Sequence, residues 1–144
     1  EVAALDYGGW DHHIGQGGLE GKQNTMLSDY AQALTAFSSD LGKLMEDTLV
    51  ITMTEFGRTV RENGNTGTDH GRGGGVFLLG GGVKGGKIYG EWRGLKSEAL
   101  ADGRDLPVTT DFRDVMCACL RDSLKCKLPS DFFPGYKPGR LKLF

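Results

Sequence analysis

The chain is 144 residues long, 38% apolar and 25% charged, with a formal net charge of -2, a profile that fits one soluble globular domain or a piece of a larger one. It carries no basic surplus to neutralise phosphates, which argues against nucleic acid as a partner. Its apolar runs, Thr48–Met53 and Val76–Leu79 among them, fall far short of the roughly 20 residues that a spanning helix needs.

Glu1–Leu5 has neither an initiator methionine nor the features of a signal peptide. The run Val2–Leu5 reads as a strand entering a functional loop at Asp6-Tyr-Gly-Gly-Trp10, so the chain is expected to be a fragment, or a processed chain, whose earlier half is absent. After a polar, glycine-rich stretch to Gln23, residues Leu27, Tyr30, Leu34, Phe37, Leu41 and Leu44 recur at spacings of three and four. That is one face of an amphipathic helix, and its stripe is expected to form core. Thr48–Met53 then forms a short, nearly continuous apolar run that suits a strand of a parallel sheet buried on both faces. Strand, helix and strand in succession imply a right-handed crossover.

A long polar loop occupies Thr54 to Asp69, and Gly75–Leu79 reads as a third strand. Gly80–Gly82 makes a turn, and Lys87–Tyr89 with Trp92 reads as short edge structure. A second helix is predicted over Asp111–Leu124, with Thr110 as its cap and Asp111 and Asp114 at its positive end. Beyond Pro129, Phe132, Phe133 and Tyr136 are expected to pack a coil against the domain.

Glycine supplies 24 residues, about 17% against a usual ~7%. Its glycines lie between apolar strands and beside histidines, marking tight turns and close backbone approaches. Cys117, Cys119 and Cys126 are odd in number. Positions 117 and 119 face different sides of a helix, so buried structural thiols fit them better than a metal or redox site.

The chemistry concentrates in loops that follow strands, where ligands bind in open α/β sheets. Asp11-His12-His13 places a carboxylate and two imidazoles within three residues, and Asp69-His70 repeats the pairing. Glu55 ends an apolar strand, where a carboxylate is costly unless it meets a cation or donors. Carboxylate and imidazole together suit zinc, manganese or iron, although no cysteine-rich or His-Glu-x-x-His pattern sharpens the choice. The Gly80–Gly86 turn lacks the ending of a phosphate-binding loop and reads as structural. Trp10 and Trp92 could stack on a sugar ring, but packing or loop anchoring is the simpler role.

These segments come in a characteristic order: Gly8-Gly-Trp-Asp-His-His13 with Gln16, Thr54-Glu-Phe-Gly-Arg-Thr59, Asn63, Gly67-Thr-Asp-His-Gly71, Gly80–Gly86, and Tyr89-Gly90. In that order they resemble the bacterial domain of unknown function 1501 family, and through it the alkaline phosphatase and sulfatase superfamily. The resemblance implies an open, mainly parallel α/β sheet flanked by helices. This chain, 1–144, would be the C-terminal, metal-site portion of one such domain.

It further implies a metal-dependent hydrolase acting on phosphate or sulfate esters of small molecules or saccharides, with a catalytically inactive metal- or anion-binding module as the alternative. Asp11, His13 and His70 look like ligands of a first divalent-metal site, zinc or manganese. Glu55 falls where a further ligand or general base belongs. Arg58 would clamp the ester anion, or order the loop by pairing with Glu55 or Asp69. Asp69 would orient an imidazole from behind, and His12 would face solvent. Phe56 stands where a second-site histidine is expected and cannot ligate, so a second site is doubtful. The nucleophile would lie upstream. The resemblance also implies export from the cell. Strands that expect further sheet neighbours imply an exposed edge, and hence association with an N-terminal half or with further copies.

Overall fold

The computed structural model describes all 144 residues. Helix α1 spans Lys22–Leu41. It contains neither proline nor internal glycine, and its Ala, Leu, Gln and Met residues favour helix. It stops at Gly42, whose φ of 51° suits a residue without a Cβ and whose N–H bonds back to Ser38. A 3-10 turn over Gly42–Glu46 then leads to β1, Leu49–Ile51.

The predicted apolar stripe lies on α1, but it does not form core. No residue of the helix is buried, and Leu27 and Phe37 each keep 46% of their surface exposed. The helix has too little chain over it to be covered.

Two further short strands, β2 (Gly57–Arg58) and β3 (His70–Gly71), pair antiparallel, with Arg58 opposite His70. Strand β4, Leu78–Gly80, returns antiparallel to β1 in the register Leu49–Gly80, Val50–Leu79 and Ile51–Leu78. There are thus two separate two-stranded antiparallel sheets. The open, mainly parallel sheet expected from the sequence is not the architecture, and the likeness to alkaline phosphatases and sulfatases falls with it. Parallel neighbours need a crossover of a dozen or more residues, usually a helix. Here the segment after β1 instead folds back on itself through β2 and β3, so the chain re-enters beside β1 from the opposite direction.

Val2–Leu5 forms no strand. It lies in solvent, with Val2 92% and Leu5 94% exposed, and no strand pairs with it. Lys87–Tyr89 and Trp92 likewise form no strand, and Trp92 is 70% exposed.

Helix α2 covers Phe112–Ala118 and continues as one π-helical turn over Cys119–Ser123. Its cap is Asp111 rather than Thr110: the carboxylate accepts from the Arg113 N–H at 2.9 Å. Most of the small apolar core lies here, with Cys117, Ala118 and Cys119 buried, joined by Leu100 and by Leu143 from the tail. Tyr136 donates to Asp114 Oδ1 at 2.8 Å, tying the tail to α2. All three cysteines are free, Cys126 exposed, and burial pushes the Cys119 thiol up from its ordinary value. No helix is long and apolar enough to cross a membrane.

Candidate metal centre

Three segments converge beside the β2–β3 ribbon. The loop after Trp10 brings Asp11 and His13, β2 brings Arg58, and β3 brings His70. The ligand atoms of Asp11, His13 and His70 all lie within 4.8 Å of one another. His13 Nε2 is 3.0 Å, and His70 Nε2 2.9 Å, from the same Asp11 Oδ1. Ligands at ~2.0–2.1 Å around a tetrahedral zinc stand roughly 3.3 Å apart, so this spacing is close to one edge of such a polyhedron. The three side chains keep 49%, 45% and 50% of their surface exposed, enough for an ion to enter and for a coordination position to stay open.

The orientation of His13 is set from behind. Its Nδ1 lies 3.0 Å from Asp69 Oδ1, which also accepts from Asn63 Nδ2 at 3.0 Å. Asn63 donates as well to the His13 carbonyl, at 3.0 Å, while its own Oδ1 accepts from the N–H groups of Asn65 and Gly67. With Nδ1–H given to Asp69, the Nε2 lone pair of His13 faces a carboxylate oxygen 3.0 Å away. Two acceptors at that distance repel unless a proton or a cation lies between them. The donor set therefore fits a divalent cation, and its outer support matches that of metal-bound histidines.

His70 is held differently. The Phe56 ring stacks on its imidazole at 4.0 Å with 6° between the planes. Phe56 thus stands beside a candidate ligand as a flat support. The Arg104 guanidinium donates to the His70 carbonyl at 3.1 Å.

Arg58 does not pair with Glu55 or Asp69. Its Nη1 donates to Asp11 Oδ1, its Nε to Thr68 Oγ1 at 2.8 Å, and its Nη2 to the Thr68 carbonyl. The Arg58 hydrogen bond holds the Asp11 carboxyl below its ordinary value, with the hydrogen bond from His70 adding to the effect against some desolvation. The Asp69 carboxyl is held low first by Asn63 and then by His13. Glu55 is exposed and stands outside the Asp11–His13–His70 group, on the wall of a cleft of about 1310 Å³ that Asp11 and Arg58 also line.

His12, expected in solvent, is 4% exposed. Its Nδ1 meets Gln23 Oε1 at 2.9 Å, pinning the loop to the first turn of α1, and its Nε2 is buried without a partner. Trp10 anchors the same loop: its indole N–H donates to the Tyr7 carbonyl at 2.7 Å, and its ring meets Tyr7 and Tyr30 edge-on. Sequence reasoning assigned no role to Asn63 or Thr68. The one local signal for Asn63 was the turn-forming Asn63-Gly-Asn-Thr-Gly67 run.

The family model described as "Protein of unknown function (DUF1501)" matches residues 1–123. The chain belongs to this family. Every residue of the metal centre lies inside the matched span, as do Asn63 and Phe56, which support it. The match reaches the DUF1501 family and not the alkaline phosphatase and sulfatase superfamily. No curated protein and no solved structure gives a match.

Proposed function

We propose that this DUF1501 member is a divalent-metal-binding module whose metal takes a small anionic ligand at an open coordination position. The observation that carries the proposal is the convergence of His13 Nε2 and His70 Nε2 on one oxygen of Asp11, with His13 oriented by Asp69. Two neutral imidazoles and one carboxylate offset only part of a dication's charge. The remaining positive charge, met by a half-exposed site, favours an anion such as a carboxylate or an inorganic oxyanion. Two imidazoles and a carboxylate suit zinc first and manganese next.

Binding explains the geometry better than turnover does. Arg58, Nη1 to Nε, is engaged by Asp11 and Thr68, so its work is to position Asp11. Thr68 Oγ1 is itself tied to Arg58 and Gln16, which leaves it unsuited to act as a nucleophile. Glu55 shares the cleft and is the residue left to act as a base, a role that binding does not require. A second cation has no comparable cluster.

Elemental analysis of the purified protein tests the proposal. Close to one equivalent of zinc or manganese is expected in the wild type, lost in His70→Ala and in Asp11→Ala. A wild type that stays metal-free after incubation with either ion sinks the proposal.

A further inference from the structure

Two arginines touch residues of the metal centre, and they differ in what they have left to offer. Arg58 keeps only 18% of its side chain exposed and commits Nη1, Nε and Nη2 to Asp11 and Thr68. Arg104 keeps 56% exposed. Its Nη2 donates to the His70 carbonyl at 3.1 Å and its Nε to Asp105 Oδ1 at 3.0 Å, while its Nη1 has no partner.

Strand pairing explains why Arg104 sits there. Residues opposite one another in an antiparallel pair alternate between bonded and non-bonded. The Thr59 N–H bonds to the Asp69 carbonyl, one step along the register from Arg58 opposite His70. The His70 carbonyl therefore points away from β2, toward the side on which Arg104 donates to it. The backbone of Arg104 is fixed as well. Ala101 and Asp105 bridge antiparallel around it, and its carbonyl accepts from the Val60 N–H at 3.2 Å. Asp105 is 3% exposed, so the carboxylate that holds Nε is itself firmly seated. A guanidinium held at two of its three nitrogens loses little freedom when the third takes a ligand.

The open cleft is lined by Asp11 and Arg58 but not by His13, His70 or Arg104. An anion that approaches over the two half-exposed imidazoles therefore meets Arg104 rather than Arg58. The charge is felt at the centre: the Asp69 carboxyl, held low chiefly by Asn63 and His13, is lowered further by Arg104.

We infer that Arg104 is the second contact for the anion on the metal, and that the centre accordingly prefers small dianions to monoanions. The inference rests on the metal-binding reading above. One acidic group at the open coordination position leaves the other for the free edge of Arg104, and two cationic positions side by side match two negative charges. A monoanion gains the first contact alone. The clamping role expected of Arg58 passes to Arg104.

The test uses the full chain loaded with cobalt(II), whose visible spectrum changes when an anion enters its coordination shell. Malonate and acetate are titrated in parallel into the wild type, Arg104→Gln and Arg72→Gln. The wild type should bind malonate more tightly than acetate. Arg104→Gln should weaken malonate by about 10–100-fold, the worth of one hydrogen bond between charged groups, while cobalt uptake and acetate binding hold. Arg104→Lys keeps the charge without the fork and should fall between the two. Arg72, exposed and paired with Asp102 and Asp105, is the control for charge at a distance, and its loss should leave the preference intact. A wild type without the preference, equal weakening of malonate and acetate in Arg104→Gln, or an equal effect from Arg72→Gln would overturn the inference and leave the metal centre standing. A chain that takes up no cobalt would overturn both.

Discussion

Asp69 Oδ1 lies 3.0 Å from His13 Nδ1, across 56 residues of sequence, and so decides which nitrogen of His13 faces Asp11. The neighbour two residues away, Asp11, supplies the ligand oxygen. The residue far along the chain supplies its partner's orientation.

Asp69→Asn keeps the shape of this support and removes its charge. Outer partners of metal-bound histidines are typically worth 10–100-fold in affinity, and a loss in that range is expected here. Competition with a chromogenic zinc chelator measures it. An unchanged affinity would mean that Asp69 orders the loop without orienting the ligand.

Acid should weaken the site from a defined side. The carboxyls of Asp11 and Asp69 are both held low in the folded chain, chiefly by Arg58 and by Asn63 respectively. A lowered folded value contributes stability that is present above the unfolded value, near 3.9, and lost as pH falls through the folded one. The melting temperature of chelator-treated protein should therefore hold down to about pH 4 and drop below it, modestly because both groups are exposed. Asp69→Asn should flatten that drop. Equal drops in the variant and the wild type would show that this carboxylate contributes nothing to acid sensitivity.

Gly67 is buried against the loop that carries the ligands. A Cβ there would collide with the His13 carbonyl group and approach the His12 oxygen at 2.6 Å. Gly67→Ala should cost about 1–3 kcal/mol and displace His13, lowering metal content together with stability. Gly64→Ala, three residues away, has nothing within 4 Å of its new Cβ and serves as the control. Denaturant unfolding of the two variants side by side distinguishes a steric clash from a general loss of loop flexibility, since only the clash separates them.

Phe56→Leu removes the flat support beneath His70 while keeping an apolar side chain. Stacked aromatic pairs are worth about 0.5–1.5 kcal/mol beyond their buried area, so stability should fall by about 1 kcal/mol. Zinc affinity should fall severalfold as the imidazole gains freedom. A variant with full affinity would reduce Phe56 to packing alone.

Much of the site was legible along the chain. Asp11 and His13 lie two residues apart, His70 directly follows Asp69, all three stand near glycines, and residue type alone marks them as donors. The helix was legible too, because a repeat of three and four residues is a local property. Periodicity could place the stripe of Leu27, Tyr30 and Leu34 on one side of α1. It could not say whether anything covers that side, because burial depends on what the rest of the chain can reach.

The strand partners were illegible for the same reason. An apolar run such as Leu49–Ile51 is compatible with parallel or antiparallel neighbours, and only the return of the chain through the β2–β3 ribbon chose β4 from the opposite direction. That same return set Arg58 against Asp11 and Phe56 against His70. Residue chemistry named the candidate ligands. Chain reversal, which brings together groups up to 59 residues apart, decided which of them meet, because hydrogen bonds and ring contacts act over a few ångströms of space, whatever the distance along the sequence.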